Sequence, residues 1–241
     1  MRILIIILFL FSLAACKREC RIVKDTFANV KPKEVHIYPN CGDTSYYKGQ
    51  VFYENGRLSG EGFFKNDKRN GHFKSWYENG NLEADWNVVD NKEHGFIQRW
   101  YENGQIKIIG TLEYGIENGL QKKWYENGEP ESEGKFLNGK KQGLWKYWLA
   151  NGEYRERNYI NDTLDGATTE ILSDKRHVFG QFKKGKEVGK WVWKDSLGNL
   201  EQTAYYKDGV YDSIAVGYYP NGEIREKRVY IKGKLIQTQK Y

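Results

Sequence analysis

The sequence predicts an all-β fold, an elongated antiparallel meander of β-hairpins built from about eight units, each of roughly 23–24 residues. Three observations carry that reading. Asn-Gly recurs at Asn55-Gly56, Asn79-Gly80, Asn103-Gly104, Asn127-Gly128 and Asn151-Gly152, each two dozen positions after the last, and returns at Asn221-Gly222. A second turn series keeps the same beat through Asp67, Asn91, Gly115, Gly139, Asp162, Gly185, Gly209 and Gly233, with one residue lost on each side of Asp162. A third, Gly71, Gly95, Gly119, Gly143, Gly166 and Gly189, stays in phase with both. A fixed period of this length marks a repeat architecture.

Each unit reads strand, turn, strand, turn. Trp76, Trp100, Trp124 and Trp148 keep the same interval, followed by Tyr77, Tyr101, Tyr125 and Leu149. Aromatic and β-branched runs bounded by Asn-Gly are a strong local signal for hairpins. Helix is disfavoured, because glycine recurs every few residues and no 3.6-residue apolar period is sustained. If Asn79-Gly80 is a two-residue turn, Tyr77 faces Leu82, Ser75 faces Ala84 and Phe73 faces Trp86, while Trp76 faces Glu83 and Lys74 faces Asp85. In a later unit Lys122 then faces Glu133. One face is thus aromatic and aliphatic and the other charged; a longer turn would exchange them. Gly62, Gly110 and Gly134 fall on the apolar face, where a strand glycine marks close approach by a bulky neighbour. The unit around Glu170 to Lys175, with Ser173-Asp174-Lys175-Arg176 at its turn, departs most and is expected to pair more weakly or bend.

The N-terminus predicts export. Arg2 precedes an apolar run from Ile3 to Phe11, too short to span a bilayer as a helix, which needs roughly 20 residues. Small residues then lead into Cys16, as at a signal-peptide cleavage point. Leu13-Ala14-Ala15-Cys16 resembles the lipobox of bacterial lipoproteins. That resemblance implies a signal peptide over 1–15, diacylated Cys16 as the first mature residue, and anchoring to a membrane without crossing it. Lys17 in the following position favours an outer membrane in a Gram-negative cell, the leaflet staying open. An ordinary signal peptide with an incidental Cys16 is the alternative. Residues 16–45 then form a lipidated tether and N-terminal segment, and 46–241 the repeat domain, with open edges near Tyr46 and Tyr230 that Lys232, Lys234 and Lys240 would guard. Cys20 and Cys41 are a disulfide candidate in an oxidising compartment. Metal binding is the weaker reading of that pair, since His36, His72, His94 and His177 do not cluster.

Trp76-Tyr77-Glu78-Asn79-Gly80 and Trp124-Tyr125-Glu126-Asn127-Gly128 resemble the bacterial variant of the MORN repeat. The unit from Trp124 to Gly143 fits closely, with Gly134, Phe136, Asn138-Gly139-Lys140 and Gly143 in place. The resemblance covers most of the chain, from near Tyr46 to near Ile236. It implies the hairpin meander, with members described as membrane-associated or as antitoxins.

Composition narrows the function. A net charge of +6 from 38 basic and 32 acidic residues, interspersed, gives no field for nucleic acid, which is also the wrong partner for an exported chain. No Gly-x-Ser-x-Gly, His-Glu-x-x-His or glycine-rich phosphate loop is present, so no catalytic residue, cofactor or metal is expected. Glu78, Glu102 and Glu126 recur beside Asn-Gly as turn residues. The turns lack the ligand spacing that calcium needs. What remains is a membrane-anchored scaffold that binds a protein, glycan or lipid surface, or, on family analogy, an immunity protein against a secreted toxin. Trp76, Trp100, Trp124 and Trp148 are its candidate binding ladder, with rungs about 9.6 Å apart; the alternative is that these rings pack on one another as core.

Overall fold

A computed structural model describes residues 19–241. The expected signal peptide and Cys16 lie outside the described residues. The described chain forms twenty antiparallel strands in one open sheet. They are β1 (Cys20–Thr26), β2 (Pro32–Tyr38), β3 (Tyr46–Phe52), β4 (Leu58–Lys65), β5 (Lys68–Trp76), β6 (Leu82–Val89) and β7 (Lys92–Trp100). There follow β8 (Ile106–Glu113), β9 (Ile116–Glu117), β10 (Gly119–Trp124), β11 (Pro130–Leu137), β12 (Lys140–Trp148) and β13 (Tyr154–Ile160). The last are β14 (Thr163–Ile171), β15 (His177–Lys183), β16 (Lys186–Lys194), β17 (Leu200–Lys207), β18 (Val210–Tyr218), β19 (Ile224–Ile231) and β20 (Lys234–Lys240). Each pairs with its successor, except that β8 pairs with both β9 and β10, one strand interrupted at Asn118.

The three glycine series resolve into three devices. Asn-Gly closes a three-residue loop, not a two-residue one. At Glu78-Asn79-Gly80, Tyr77 N–H donates to Asn81 O (2.9 Å), Gly80 N–H donates to Tyr77 O (2.9 Å), and Gly80 sits at φ +96°. The two-residue turns belong to the second series. Asp90-Asn91 has both φ values positive, 46° and 68°, between the paired Val89 and Lys92, as a type I′ hairpin requires. The third series, from Gly71 to Gly189, stands beside register shifts in the ladder at φ between 68° and 121°.

The longer loop does not exchange the faces, because a bulge beside it restores the register. Trp76 pairs with Leu82, displacing the expected Tyr77–Leu82 and Trp76–Glu83 pairs; Glu83 is left over, and Ser75–Ala84, Lys74–Asp85 and Phe73–Trp86 follow as expected. The same bulge leaves over Lys33, Ser59, Lys107, Glu131, Glu201 and Arg225. Two hairpins lack it. β12–β13 and β14–β15 pair without a register shift next to the loop, and these are the units with the shorter spacing around Asp162. The missing residue in the repeat is the bulged one. The loop at Ser173-Asp174-Lys175 keeps the common geometry, with Lys175 at φ 67° in glycine's place, and β14–β15 pairs continuously, so the expected weakening there is absent.

The N-terminal segment is not a free tether. β1 and β2 form a further hairpin on β3. Its loop, Ala28-Asn29-Val30, repeats the Asn-Gly geometry: Phe27 N–H donates to Lys31 O and Val30 holds φ 60°. Cys20 and Cys41 are joined, Cα to Cα 5.2 Å, closing this hairpin. The sheet edges are therefore β1 and β20, not strands near Tyr46 and Tyr230.

The core lies on one face of the sheet. The residue two places after each bulge glycine is buried throughout: Phe73, Ile97, Gln121, Trp145, Thr168 and Trp191, with Ala215 continuing the column. Where that residue is large, the neighbouring strand supplies glycine. A Cβ on Gly62, Gly134 or Gly180 would overlap the ring of Phe73, Trp145 or Trp191. Rings continue the column at each end. Tyr47 stacks on Phe64 (5.0 Å) and Phe73 on Trp86 (5.7 Å); further on, Phe136 meets Trp145 (4.8 Å) and Tyr206 meets Tyr211 (4.5 Å). Such contacts add about 0.5–1.5 kcal/mol each beyond area burial. With no second layer, the rings shelter one another.

Candidate functional site

Units are stitched at the Asn-Gly end by a ladder of tyrosines. The hydroxyls of Tyr53, Tyr77, Tyr101 and Tyr125 donate to the backbone carbonyls of Trp76, Trp100, Trp124 and Trp148, at 2.7–2.8 Å. Asn79 and Asn103 side-chain amides donate to the carbonyls of Glu102 and Glu126 (3.0 and 2.8 Å). Removal of the hydroxyls from water raises the pKa of Tyr53, Tyr77 and Tyr101. The recurrence of Tyr, Glu and Asn beside the turns is thus architectural.

The four candidate tryptophans, Trp76, Trp100, Trp124 and Trp148, are all half-buried, neither core nor free ladder. Trp148 packs on Tyr154 at 5.4 Å. Trp100 and Trp148 line clefts on the aromatic face. The structure draws attention to other residues. The aromatic column breaks between Trp86 and Phe136, where Ile97, Gly110 and Gln121 occupy its row. Two clefts of about 420 Å³ each adjoin there, sharing Gln121, Lys123 and Glu131. Together they form a groove from Arg99 on β7 to Arg155 on β13, about 24 Å at the usual strand spacing.

Six cations line this groove, Arg99, Lys107, Lys123, Lys141, Arg155 and Arg157, against three carboxylates, Glu93, Glu117 and Glu131. Some are already paired: Arg99 meets Glu93 (3.0 Å), and Arg155 and Arg157 each pair with an acid at 2.7 Å, Glu153 and Glu170. Lys141 Nζ bonds the Tyr147 hydroxyl (2.8 Å) and lies over the rings of Trp145, Tyr147 and Tyr159. Burial raises the pKa of Tyr147 and Tyr159. Gln121 is 5% exposed; its amide nitrogen donates to Glu117 (2.6 Å), and its carbonyl oxygen has no partner. Arg157 Nε also lacks a hydrogen-bond partner, while Arg155 Nε lies 3.8 Å from Glu170 in an ion pair.

The bulges supply what the sequence did not reveal. Six of the seven left-over residues, Ser59, Glu83, Lys107, Glu131, Glu201 and Arg225, line clefts, while Lys33 pairs with Asp25 at 3.1 Å. A bulge re-aims a side chain out of strict alternation, so each bulged unit can deliver one variable polar group to a face that alternation reserves for rings. The signal was present in the difference between the longer and shorter units, but alternation alone placed Glu83 on the charged face.

Five segments match the MORN repeat variant. They are residues 48–66, 69–90, 93–113, 117–138 and 211–232. Between them, over 139–210, the same hairpin geometry continues although the match lapses: the loops after Leu149, Leu172 and Asp195 keep the same backbone hydrogen bonds. There Leu149 replaces tyrosine, Lys175 replaces glycine, and two bulge residues are missing. No curated protein matches the chain. Among solved structures, one similar chain comes from the "Crystal Structure of TcdB2-TccC3-Cdc42", at 10% identity and a TM-score of 0.16, covering 89% of this chain and 18% of that one. This chain therefore spans under a fifth of that chain's length, and so slight a likeness carries no argument. Among the described residues, no group of three or more His, Cys, Asp or Glu side chains is placed to hold a metal ion.

Proposed function

We propose that this protein is a non-catalytic MORN-type scaffold, held at a cell envelope by lipid on Cys16, whose aromatic face binds a partner in the groove over β7–β13. The observation that supports it is the interruption of the aromatic column at Ile97–Gly110–Gln121. The core row there opens into two adjoining clefts lined by charged side chains, two of them, Lys107 and Glu131, delivered by bulges.

Two measurements test the parts separately. Cys16→Ser is expected to shift the protein from the membrane to the soluble fraction; an unchanged distribution removes the anchor. A photo-reactive amino acid at Lys123, in the groove, is expected to capture a partner in cells, whereas one at Leu120 or Leu144, exposed residues of the opposite face, is not. Equal labelling from both faces, or none from the groove, refutes the binding face. The identity of the captured molecule then separates an envelope component from a toxin.

A further inference from the structure

We propose that the groove over β7–β13 binds an acidic saccharide chain, its sugar rings laid against the tyrosines and tryptophans and its carboxylates met by Lys107 and Lys123. This rests on the reading of the aromatic face as the binding face and adds the chemistry of the ligand.

Charge is the first argument. The lining carries six cations to three carboxylates. Arg99, Arg155 and Arg157 are held by acids, while Lys107 projects from its bulge with its ammonium 5.2 Å from the centre of the Tyr101 ring. The polar atoms give the second. Gln121, nine-tenths buried and common to both clefts, offers a carbonyl oxygen without a donor, and Arg157 offers an Nε donor without an acceptor. A ligand for this set supplies both O–H donors and carboxylate or hydroxyl acceptors, as a sugar acid does.

The third argument separates a saccharide from an acidic peptide. An extended peptide gains affinity mainly by hydrogen-bonding its main chain to a free sheet edge. Here the groove crosses the strands, and β7, β8, β10, β11, β12 and β13 spend their backbone groups on one another. A peptide crossing them finds only side chains. A saccharide needs nothing else: ring faces for its C–H surfaces, and amide, guanidinium and ammonium groups for its oxygens.

The test is isothermal titration of the folded mature chain with three probes of matched length: an oligogalacturonate, a neutral oligosaccharide and oligoglutamate. The oligogalacturonate is expected to bind, more weakly as salt rises, and the neutral sugar not to bind. Lys107→Glu and Lys123→Glu should each weaken binding about ten-fold or more, the worth of a charge-assisted hydrogen bond. Lys122→Glu, on the charged face, should change it less than about two-fold, with circular dichroism unchanged in all three. Preferential binding of oligoglutamate overturns the saccharide and leaves the binding face standing. Oligogalacturonate binding that ignores Lys107 and Lys123 overturns the site. No binding of either polyanion overturns the proposal, and with no photo-crosslinked partner at Lys123 the binding face falls too.

Discussion

Gly134→Ala offers a sharp test of how the sheet makes a core without a second layer. A Cβ at residue 134 would lie inside the indole of Trp145, which is 2% exposed and whose Nε1–H donates to Lys135 O at 3.1 Å. The ring has to leave its place, and overpacking of this kind costs about 1–3 kcal/mol. Displacing it also breaks the indole hydrogen bond, adding about 1 kcal/mol. Gly110 is the internal control, because it holds the corresponding position one hairpin earlier. A Cβ there meets Gln121 Cγ at 3.6 Å, an ordinary contact, and removing a strand glycine gains about 0.5 kcal/mol through the unfolded state. The two alanine variants should therefore differ by roughly 2–4 kcal/mol in urea unfolding followed by tryptophan fluorescence, with Gly110→Ala the more stable. In a Trp145→Leu background the cost of Gly134→Ala should fall below about 1 kcal/mol, as coupling between touching residues requires. Equal costs at Gly110 and Gly134, or an undiminished cost beside Leu, would refute the account of paired glycines and rings.

Other expectations follow from particular residues. Val30 holds φ 60° where all the other loops but that of Lys175 carry glycine; the left-handed region costs an L-residue about 1–2 kcal/mol, so Val30→Gly should raise the midpoint of unfolding while Gly104→Val, at φ 86°, lowers it. Tyr101→Phe removes the hydroxyl donated to Trp124 O and should cost about 1 kcal/mol, seen as faster hydrogen exchange in the two adjoining hairpins. Burial, with Asp67 adding to it, pushes Tyr47 up to about 12. A folded-state pKa above the unfolded value means that the stabilisation is whole below about pH 10 and is lost as pH rises through about 12; alkaline unfolding should shift less steeply with pH in Tyr47→Phe. Reducing Cys20–Cys41, which closes a span of 21 residues, should cost about 3 kcal/mol, with exchange accelerated in β1 and β2 and little changed beyond β4.

The turn rhythm made the hairpin meander legible, because glycine at positive φ is a local requirement that a sequence must display. The two faces were legible for the same reason: alternation placed Phe73, Ser75 and Trp86 opposite Lys74 and Asp85. Three things were hidden. The β1–β2 hairpin carries valine where all the others but the Lys175 loop carry glycine, so strain tolerated at Val30 erased its signature; Phe27 and Asn29, standing where later loops have Tyr53 and Asn55, were its remaining trace. The core column has no signature in the sequence because it mixes Phe73, Ile97, Gln121, Trp145 and Thr168, residues united by burial and not by chemistry. The bulges were invisible because the expected two-residue turn and the actual three-residue loop plus bulge lead to the same pairs from Ser75–Ala84 onward. Two differences cancelled.

That cancellation says something about how the array divides its tasks. The hairpins β12–β13 and β14–β15 show that the loop closes and the strands pair without the extra residue, so the bulge is not a condition of folding. It leaves a residue outside the ladder, bends the strand and increases the local twist. Yet seven hairpins keep it, and six of the seven left-over residues reach a cleft on the aromatic face, Lys33 pairing with Asp25 instead. Alternation ties every other position of a half-buried strand to the core. A bulge releases one position per unit from that constraint, and a chain so built can vary Ser59, Glu83, Lys107, Glu131, Glu201 and Arg225 without repacking Phe73, Trp145 or Trp191. Stability resides in the column two places after each bulge glycine, and on the proposed reading recognition falls to the residues the ladder leaves over.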